Sequence, residues 1–308
     1  DSAVELAGIN RPAVERALLL KKIGNELLDL IGGRAIHPVN IRVGGFYRAP
    51  SRRELLAFRP RLEQARELAA EVVELVGALD FPDLEVDHEM VALRHPTEYA
   101  ILDGRIVSDR GLDIREADYP DHFVEEHKEH STALFSRLRE RGAYLVGPLA
   151  RYSLNSDRLT STASAAAKAV GLSSECRNPF RSIVVRAVET LDVIEVALAI
   201  IDAYDDPDQP YVEAPAISGT GHGATEAPRG LLYHRYTLDG DGTITDAVIT
   251  PPTSQNQAAI EHDLISYVQA NIDQEDEELR RGAEVVIRNH DPCISCATHF
   301  LDLAVVRR

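Results

Sequence analysis

Two cysteines near the end of the sequence constrain the fold more than any other feature, because the fold has to bring both thiols to one site. They stand in the stretch DPCISCATH, residues 291–299. Thiolate sulfurs prefer zinc, copper(I), nickel and iron–sulfur clusters to calcium and magnesium. If Cys293 opens a helix that Asp291 caps, Cys296 lies one turn further along on nearly the same face. The segment therefore predicts a compact site for a soft metal or a redox dithiol.

The spacing by itself leaves more than one kind of site open. A structural zinc site needs four ligands, and Cys293, Cys296, His299 and His290 could supply them locally. A redox-active dithiol is typical of a βαβ context, but only a short apolar run at residues 285–287 precedes the motif. A disulfide framework is not expected, because the chain has only three cysteines.

The composition narrows the classes of function. Lys and Arg number 33 against 50 Asp and Glu, so the formal net charge is −17. Such an acidic chain is not expected to bind nucleic acid, which needs a basic surface. No apolar run in the sequence is long enough to span a membrane. Because no repeat or low-complexity linker divides the 308 residues, we predict a single domain over residues 1–308.

Hydrophobic periodicity predicts a mainly α-helical fold, with long packed helices and small antiparallel β inserts. A capping box at Ser51 and Glu54 starts one helix, which Pro60 should break or kink. Turn residues at 103–104 and 239–242 predict hairpins. Further helices are predicted over residues 10–31, 62–79, 119–141, 179–204, 256–272 and 275–281.

Residues 219–223, with the sequence GTGHG, are rich in glycine, but a predicted hairpin follows them instead of a helix. A dinucleotide-binding loop is therefore not expected. Because glycine has no side chain, we predict that this backbone closely approaches a bulky group.

Further motifs precede the cysteines. They are IHP at residues 36–38 with GG at 44–45, GPLARY at 147–152, EAPRG at 226–230, and Thr253 with Asn256. Together with the DPCxxCxxH ending, they resemble the large, catalytic subunit of nickel–iron hydrogenases, from about Gly32 to His299. The stretches at residues 178–183 and 232–236 resemble the cytoplasmic group of these enzymes, which couples dihydrogen to electron carriers.

The resemblance implies the hydrogenase large-subunit fold and the reversible oxidation of dihydrogen to protons and electrons at a nickel–iron centre. Cys293 and Cys296 would then be two of four thiolates on nickel, and iron would carry carbon monoxide and cyanide. The family's N-terminal CxxC motif is absent from this sequence. The chain is therefore expected to be the C-terminal portion of a large subunit, or one half of a split subunit.

The same resemblance implies roles for the other site residues. Arg229 would hold its guanidinium over the open metal position as the catalytic cation. His299 would become the last residue after a protease removes the extension at residues 300–308, and would then bind magnesium or iron. The pocket for the iron ligands would be formed by Pro228, Pro252 and Thr253.

The implied partners are an iron–sulfur small subunit and further electron-transfer subunits linked to NAD(P), deazaflavin or heterodisulfide. A maturation protease is expected as a further partner. Neither binding to nucleic acid nor a membrane span is expected, and the implied location is the cytoplasm. Two alternatives stay open: a hydrogenase-like scaffold without nickel in an electron-transfer complex, and a structural zinc site at the cysteines. From the residues alone, Arg229 could hold a surface salt bridge and Thr253 could cap a helix.

Overall fold

The structure, a computed structural model, describes residues 3–293. About 48% of the chain is helical, and the sheets are small and almost entirely antiparallel. The mainly helical class with small β inserts is thereby confirmed. Cys296, His299 and the predicted extension at residues 300–308 lie outside the described residues.

The described residues form helices and strands with the following bounds. The helices are α1 (Ala3–Gly32), α2 (Arg52–Gly77), α3 (Tyr119–His122), α4 (Pro148–Asn155), α5 (Ser161–Ala169), α6 (Ser182–Ala203), α7 (Pro252–Ala270) and α8 (Asp276–Asn289). The strands are β1 (Ile41–Arg42), β2 (Gly45–Phe46), β3 (Glu89–Arg94), β4 (Arg105–Ser108), β5 (Asp113–Ile114), β6 (Phe123–Glu126), β7 (Phe135–Leu138), β8 (Tyr144–Leu145), β9 (Gly219–Ala227), β10 (Gly230–Leu238) and β11 (Ile244–Thr250).

The chain divides into two compact units. The first comprises Asp1–Leu79, Thr160–Gly171 and Ala187–Ala216, and the second comprises Asp80–Leu159, Leu172–Arg186 and Ile217–Arg308. The prediction of a single domain over residues 1–308 stays a prediction. Within residues 3–293, no helix is both long enough and apolar enough to cross a bilayer.

The first unit is a helical packing of α1, α2 and the part of α6 from Ala187 onward. Its core contains Ile23, Leu55, Leu62, Leu68, Leu191 and Leu198. Asn10 interrupts α1 with a non-helical backbone (φ −143°, ψ 73°), and its side chain accepts a hydrogen bond from the Ala13 N–H at 3.2 Å. The predicted cap at Asn10 is thus present, although a further helical stretch precedes it.

Helix α2 starts at the predicted capping box, in which the Ser51 side chain and the Glu54 side chain each accept from the other's backbone N–H. The hydrogen bonds of Ser51 and Arg48 lower the pKa of Glu54 to about 2. The predicted break at Pro60 is wrong, because the helix runs through it to Gly77. Pro60 and Leu56 are both exposed, so the Leu56 carbonyl that Pro60 cannot bond is free to reach water.

The second unit is built on small sheets. One has the strand order β5-β4-β3-β8, a second has β11-β10-β9, and β6 pairs with β7. Buried side chains from these strands share one core with Tyr119 of α3, including Leu93, Phe123, Tyr144 and Leu231. The hairpin predicted around residues 239–242 is confirmed as β10 and β11. The two-residue hairpin at residues 103–104 is wrong, because β4 pairs with β3 across a longer loop.

The helix predicted over residues 119–141 is also wrong. The segment forms the one-turn helix α3 and then the antiparallel pair β6 and β7, in which Phe123 lies opposite Leu138. Phe123 and Phe135 would fall about 120° apart on a helix of 3.6 residues per turn. As strands, they lie on opposite faces of the β6–β7 pair, and both rings are buried.

Helices α7 and α8 pack closely at Gly282, and this contact positions the end of α8, from which the chain runs to Cys293. A Cβ atom at Gly282 would collide with the hydroxyl and ring carbons of Tyr267. Gly24, in contrast, is an exposed glycine of α1 with nothing within 4 Å of a Cβ position.

We expect Gly282→Ala to lower the thermal midpoint of unfolding, because the Tyr267 ring must move away from its packed position. The control Gly24→Ala should raise it, since alanine stabilises an unobstructed helix by roughly 0.5–1 kcal/mol relative to glycine. Calorimetry of the two variants measures the difference. Equal stabilisation by both substitutions would contradict the tight contact between α7 and α8.

Candidate functional site

The five predicted site residues that the structure describes all line one cavity of about 460 Å³ in the second unit. They are Pro228, Arg229, Pro252, Thr253 and Cys293. The remaining wall is formed mainly by small and apolar residues, with Glu125 and Ser254 as its other polar side chains. The structure therefore brings together residues that lie up to 65 positions apart in the sequence. Cys296 and His299 lie outside the described residues.

The turn that carries Pro228 and Arg229 joins β9 to β10 and is held from below by a buried ion pair. Arg151 Nη1 lies 2.9 Å from Glu226 Oε2, and both side chains are nearly inaccessible to solvent. The Arg151 guanidinium also donates to the carbonyl of Ala227 at 2.8 Å and to that of Pro228 at 3.2 Å. A charged donor thus satisfies two carbonyls at this turn.

The second carboxylate oxygen of Glu226 accepts the Leu93 N–H at 2.8 Å, so the same ion pair links the turn to β3. Sequence reasoning missed this pair, although Arg151 and Glu226 stand inside the two predicted motifs GPLARY and EAPRG. Their charges inside otherwise apolar motifs were the available signal, because a buried charge requires a partner.

A close backbone contact explains why each of these two motifs contains a glycine. Gly147 and Gly230 have φ values of +106° and +135°, and their backbones touch each other. A Cβ at Gly147 would lie 2.6 Å from the Arg229 carbonyl oxygen, and one at Gly230 would lie 2.6 Å from the Gly147 nitrogen. Only glycine permits this approach, which places α4 directly beneath the turn.

Helix α7 supplies the opposite wall of the cavity. Its N-cap is Pro251, so Thr253 does not cap the helix, and the capping interpretation is wrong. Instead, Thr253 Oγ1 accepts the backbone N–H of Cys293 at 3.2 Å. Asn256 holds the residue between β8 and α4. Its side-chain amide accepts from the Val146 N–H at 2.8 Å and donates to the Val146 carbonyl at 3.0 Å.

The segment that carries Cys293 is not helical at residues 291–293 and is tethered through its backbone. Ser182 Oγ donates to the Asn289 carbonyl at 2.7 Å, and Arg229 Nε donates to the Asp291 carbonyl at 2.7 Å. Asp291 has a left-handed backbone (φ +48°), which Asp tolerates better than most residues. These contacts turn the chain away from the axis of α8 and direct Cys293 to the cavity.

Electrostatically, the cavity has a cationic rim and one carboxyl group in its wall. Arg229 is 45% exposed and lies 3.6 Å from Asp291 Oδ2, which Arg186 also approaches at 3.5 Å. Burial raises the pKa of Glu125, whose Oε1 accepts from Ser254 Oγ at 3.3 Å. Glu125 was not predicted as a site residue, because it stands in the segment that was wrongly predicted to be a helix.

His290, the proposed fourth ligand of a local zinc site, is buried and bonded elsewhere. Its Nε2 atom lies 2.9 Å from Asp263 Oδ2.

The glycine-rich stretch at residues 219–223 also differs from its prediction. It forms the first half of the edge strand β9, and nothing lies within 4 Å of a Cβ position at Gly219, Gly221 or Gly223. The predicted close approach to a bulky group is therefore not seen among the described residues.

Comparison with known proteins decides the family. No family model matches the chain. The chain is 31% identical to Sulfhydrogenase 1 subunit alpha of Pyrococcus furiosus over 307 residues, which cover 98% of this chain and 71% of the relative. The fold matches a solved NAD+-reducing NiFe hydrogenase with a TM-score of 0.82 and 25% identity, over 96% of this chain and 71% of that chain. The chain belongs to the nickel–iron hydrogenase large-subunit family.

Two further comparisons agree, one in sequence and one in fold alone. The beta subunit of the NAD-reducing hydrogenase HoxS of Cupriavidus necator is 28% identical, over 95% of this chain and 66% of the relative. A NiFeSe hydrogenase of Desulfovibrio vulgaris Hildenborough shares the fold, with a TM-score of 0.66 and 20% identity. The predicted resemblance is thus confirmed, and with it membership of a family of oxidoreductases that act on dihydrogen.

We expect Glu226→Gln to destabilise this hydrogenase subunit by about 3–5 kcal/mol, because it leaves the buried Arg151 guanidinium without a compensating charge. Asp246→Asn is the matched control, since Asp246 pairs with Arg235 at 2.6 Å but is 56% exposed. Its effect should stay within about 1 kcal/mol. Denaturant midpoints measure both, and a Glu226→Gln effect as small as the control's would exclude the ion pair as the support of the turn.

Proposed function

We propose that this chain is the catalytic part of a nickel–iron hydrogenase large subunit and oxidises dihydrogen reversibly to protons and electrons. The observation that carries the proposal is the convergence of Cys293, Arg229, Pro228, Pro252 and Thr253 on one cavity. The family membership makes a nickel–iron centre the group that such a cavity would hold.

The residues present fit such a group. Cys293 offers a soft sulfur ligand, and the surrounding wall is mainly apolar, which suits a dry metal site. We propose Cys293 and Cys296 as nickel thiolates and carbon monoxide and cyanide as iron ligands. When bound, the centre supplies the redox chemistry that dihydrogen requires. The other roles belong to residues of this chain.

Thr253 and the two prolines would shape the pocket for the iron ligands. The Thr253 hydroxyl accepts the Cys293 N–H, so its own hydrogen is left to donate to a cyanide nitrogen. Pro228 and Pro252 line the cavity with apolar rings, which would disfavour water beside a bound centre. Desolvation of this kind strengthens every electrostatic interaction inside the site.

Arg229 is proposed as the catalytic cation. Its guanidinium is always charged, and its Nε bond to the Asp291 carbonyl fixes the side chain at the rim of the cavity.

Glu125 is proposed to hold or release a proton in the same cavity. Burial raises the pKa of its carboxyl group above the usual value, and Ser254 Oγ donates a hydrogen bond to it.

The remaining parts of the assignment are proposed on family grounds. His299 would bind magnesium or iron after a maturation protease removes residues 300–308. An iron–sulfur small subunit would take up the electrons, and further subunits linked to NAD(P), deazaflavin or heterodisulfide would pass them on. The NAD-reducing relatives support a cofactor-coupled enzyme, and the cytoplasm is proposed as its location on the family resemblance alone. The two alternatives are less well supported, since Cys293 lines the cavity and His290 bonds Asp263.

We expect Cys293→Ser, in the complete protein with its partner subunits, to abolish both nickel retention and dihydrogen oxidation, because a serine hydroxyl does not replace a thiolate on nickel. Cys176→Ser is the matched control, since Cys176 is buried away from the cavity and should leave both quantities near wild type. Elemental analysis and dihydrogen-dependent dye reduction measure the result. Normal turnover in Cys293→Ser would refute the proposed ligand role.

We expect Arg229→Lys to assemble the metal centre but to lower turnover by at least about a hundredfold, on the order of the loss of one preorganised electrostatic group. Lysine keeps the charge but loses the planar guanidinium that bonds Asp291. Arg235→Lys is the control, because Arg235 is a half-buried arginine of β10 that does not line the cavity, and it should turn over normally. A fully nickel-loaded Arg229→Lys enzyme with normal turnover would make Arg229 a structural residue.

A further inference from the structure

Three metal-ligating side chains converge in the second unit at a place that does not line the Cys293 cavity. They are His88, just before β3, and His262 and Asp263, in the middle of α7. One potential ligand atom of each residue lies within 4.8 Å of the ligand atoms of the other two. The mechanism proposed above uses none of the three.

The distances within this cluster are close to those of a metal site. His88 Nε2 lies 2.6 Å and His262 Nδ1 lies 3.6 Å from Asp263 Oδ1. In a tetrahedral site with bonds of about 2.0–2.1 Å, neighbouring ligand atoms stand roughly 3.3 Å apart. An ion would therefore need His88 to withdraw by roughly 0.7 Å and His262 to approach by a few tenths of an ångström.

The cluster has a buried side and an open side. The side chains of His88 and Asp263 are 5% and 1% exposed, whereas that of His262 is 65% exposed. The rings of His88 and His262 meet edge to face, with centroids 5.1 Å apart. An ion could therefore enter from the solvent at His262 and meet the two buried ligands, of which His88 would have to withdraw.

The carboxylate of Asp263 is oriented by a histidine outside the cluster. His290 Nε2 bonds the other oxygen, Oδ2, at 2.9 Å and leaves Oδ1 to the cluster. Outer contacts of this kind orient the ligands in known metal sites.

We propose that His88 Nε2, His262 Nδ1 and Asp263 Oδ1 form a second metal site for a divalent ion of the zinc class, with water as the fourth ligand. Two imidazoles and one carboxylate suit zinc, whereas calcium and magnesium prefer oxygen ligands alone. Binding requires a free lone pair on Nε2 of His88, so this ring carries its proton on Nδ1 in the bound form. The ion would tie α7 to the residue that precedes β3.

The test introduces a thiolate at the open side of the cluster. In the nickel-loaded, full-length complex, His262→Cys should bind Co2+ and show a sulfur-to-cobalt charge-transfer band, because a thiolate at position 262 would contact the ion. His127→Cys is the matched control, since His127 is exposed and lies outside the cluster, and it should show no such band. The nickel site is filled in every sample, so the difference between the two variants reports on this cluster.

A second measurement uses the native ligands. Titration with Zn2+ alone should show one more bound ion per chain in the wild type than in His262→Ala, or an affinity at least about tenfold higher. His262→Ala leaves the buried bonds of Asp263 to His88 and His290 in place, so loss of folding does not imitate the result. If His262→Cys shows no charge-transfer band and His262→Ala binds zinc like the wild type, His88, Asp263 and His290 form a hydrogen-bonded cluster only, and the proposal is wrong.

Discussion

The buried ion pair between Arg151 and Glu226 is the contact on which the described site depends. Two charges removed from water must be compensated by each other and by hydrogen bonds from the surrounding polar groups. Glu226 reaches β3 through the Leu93 N–H, and Arg151 reaches the carbonyls of Ala227 and Pro228. One ion pair thereby fixes a helix, a strand and the turn that presents Arg229.

The cysteine segment is positioned by a different principle, the satisfaction of backbone groups. Beyond α8 the chain leaves helical geometry, and its N–H and C=O groups require new partners. Ser182, Arg229 and Thr253 supply them at Asn289, Asp291 and Cys293 respectively. Because each bond goes to the backbone, the path of the segment is fixed while the Cys293 side chain stays directed to the cavity.

The sequence pattern predicted individual elements well where a local interaction determines them. The capping box of Ser51 and Glu54 and the long helix from Ser182 are both present. It failed where tertiary contacts override local preference. Pro60 stays within a helix because its side faces solvent, and residues 123–138 form a strand pair in which Phe123 and Leu138 lie opposite each other in one core. That error also hid Glu125 from the site.

The sequence by itself determined the family, the helical class and five of the residues that line the cavity, because motif residue types follow from the chemistry they serve. Only the tertiary structure decided how those residues work. It showed that Thr253 supports Cys293 instead of capping α7, that His290 bonds Asp263, and that the glycines at 147 and 230 permit two backbones to touch. Such contacts join segments far apart in the chain, and no local pattern specifies them.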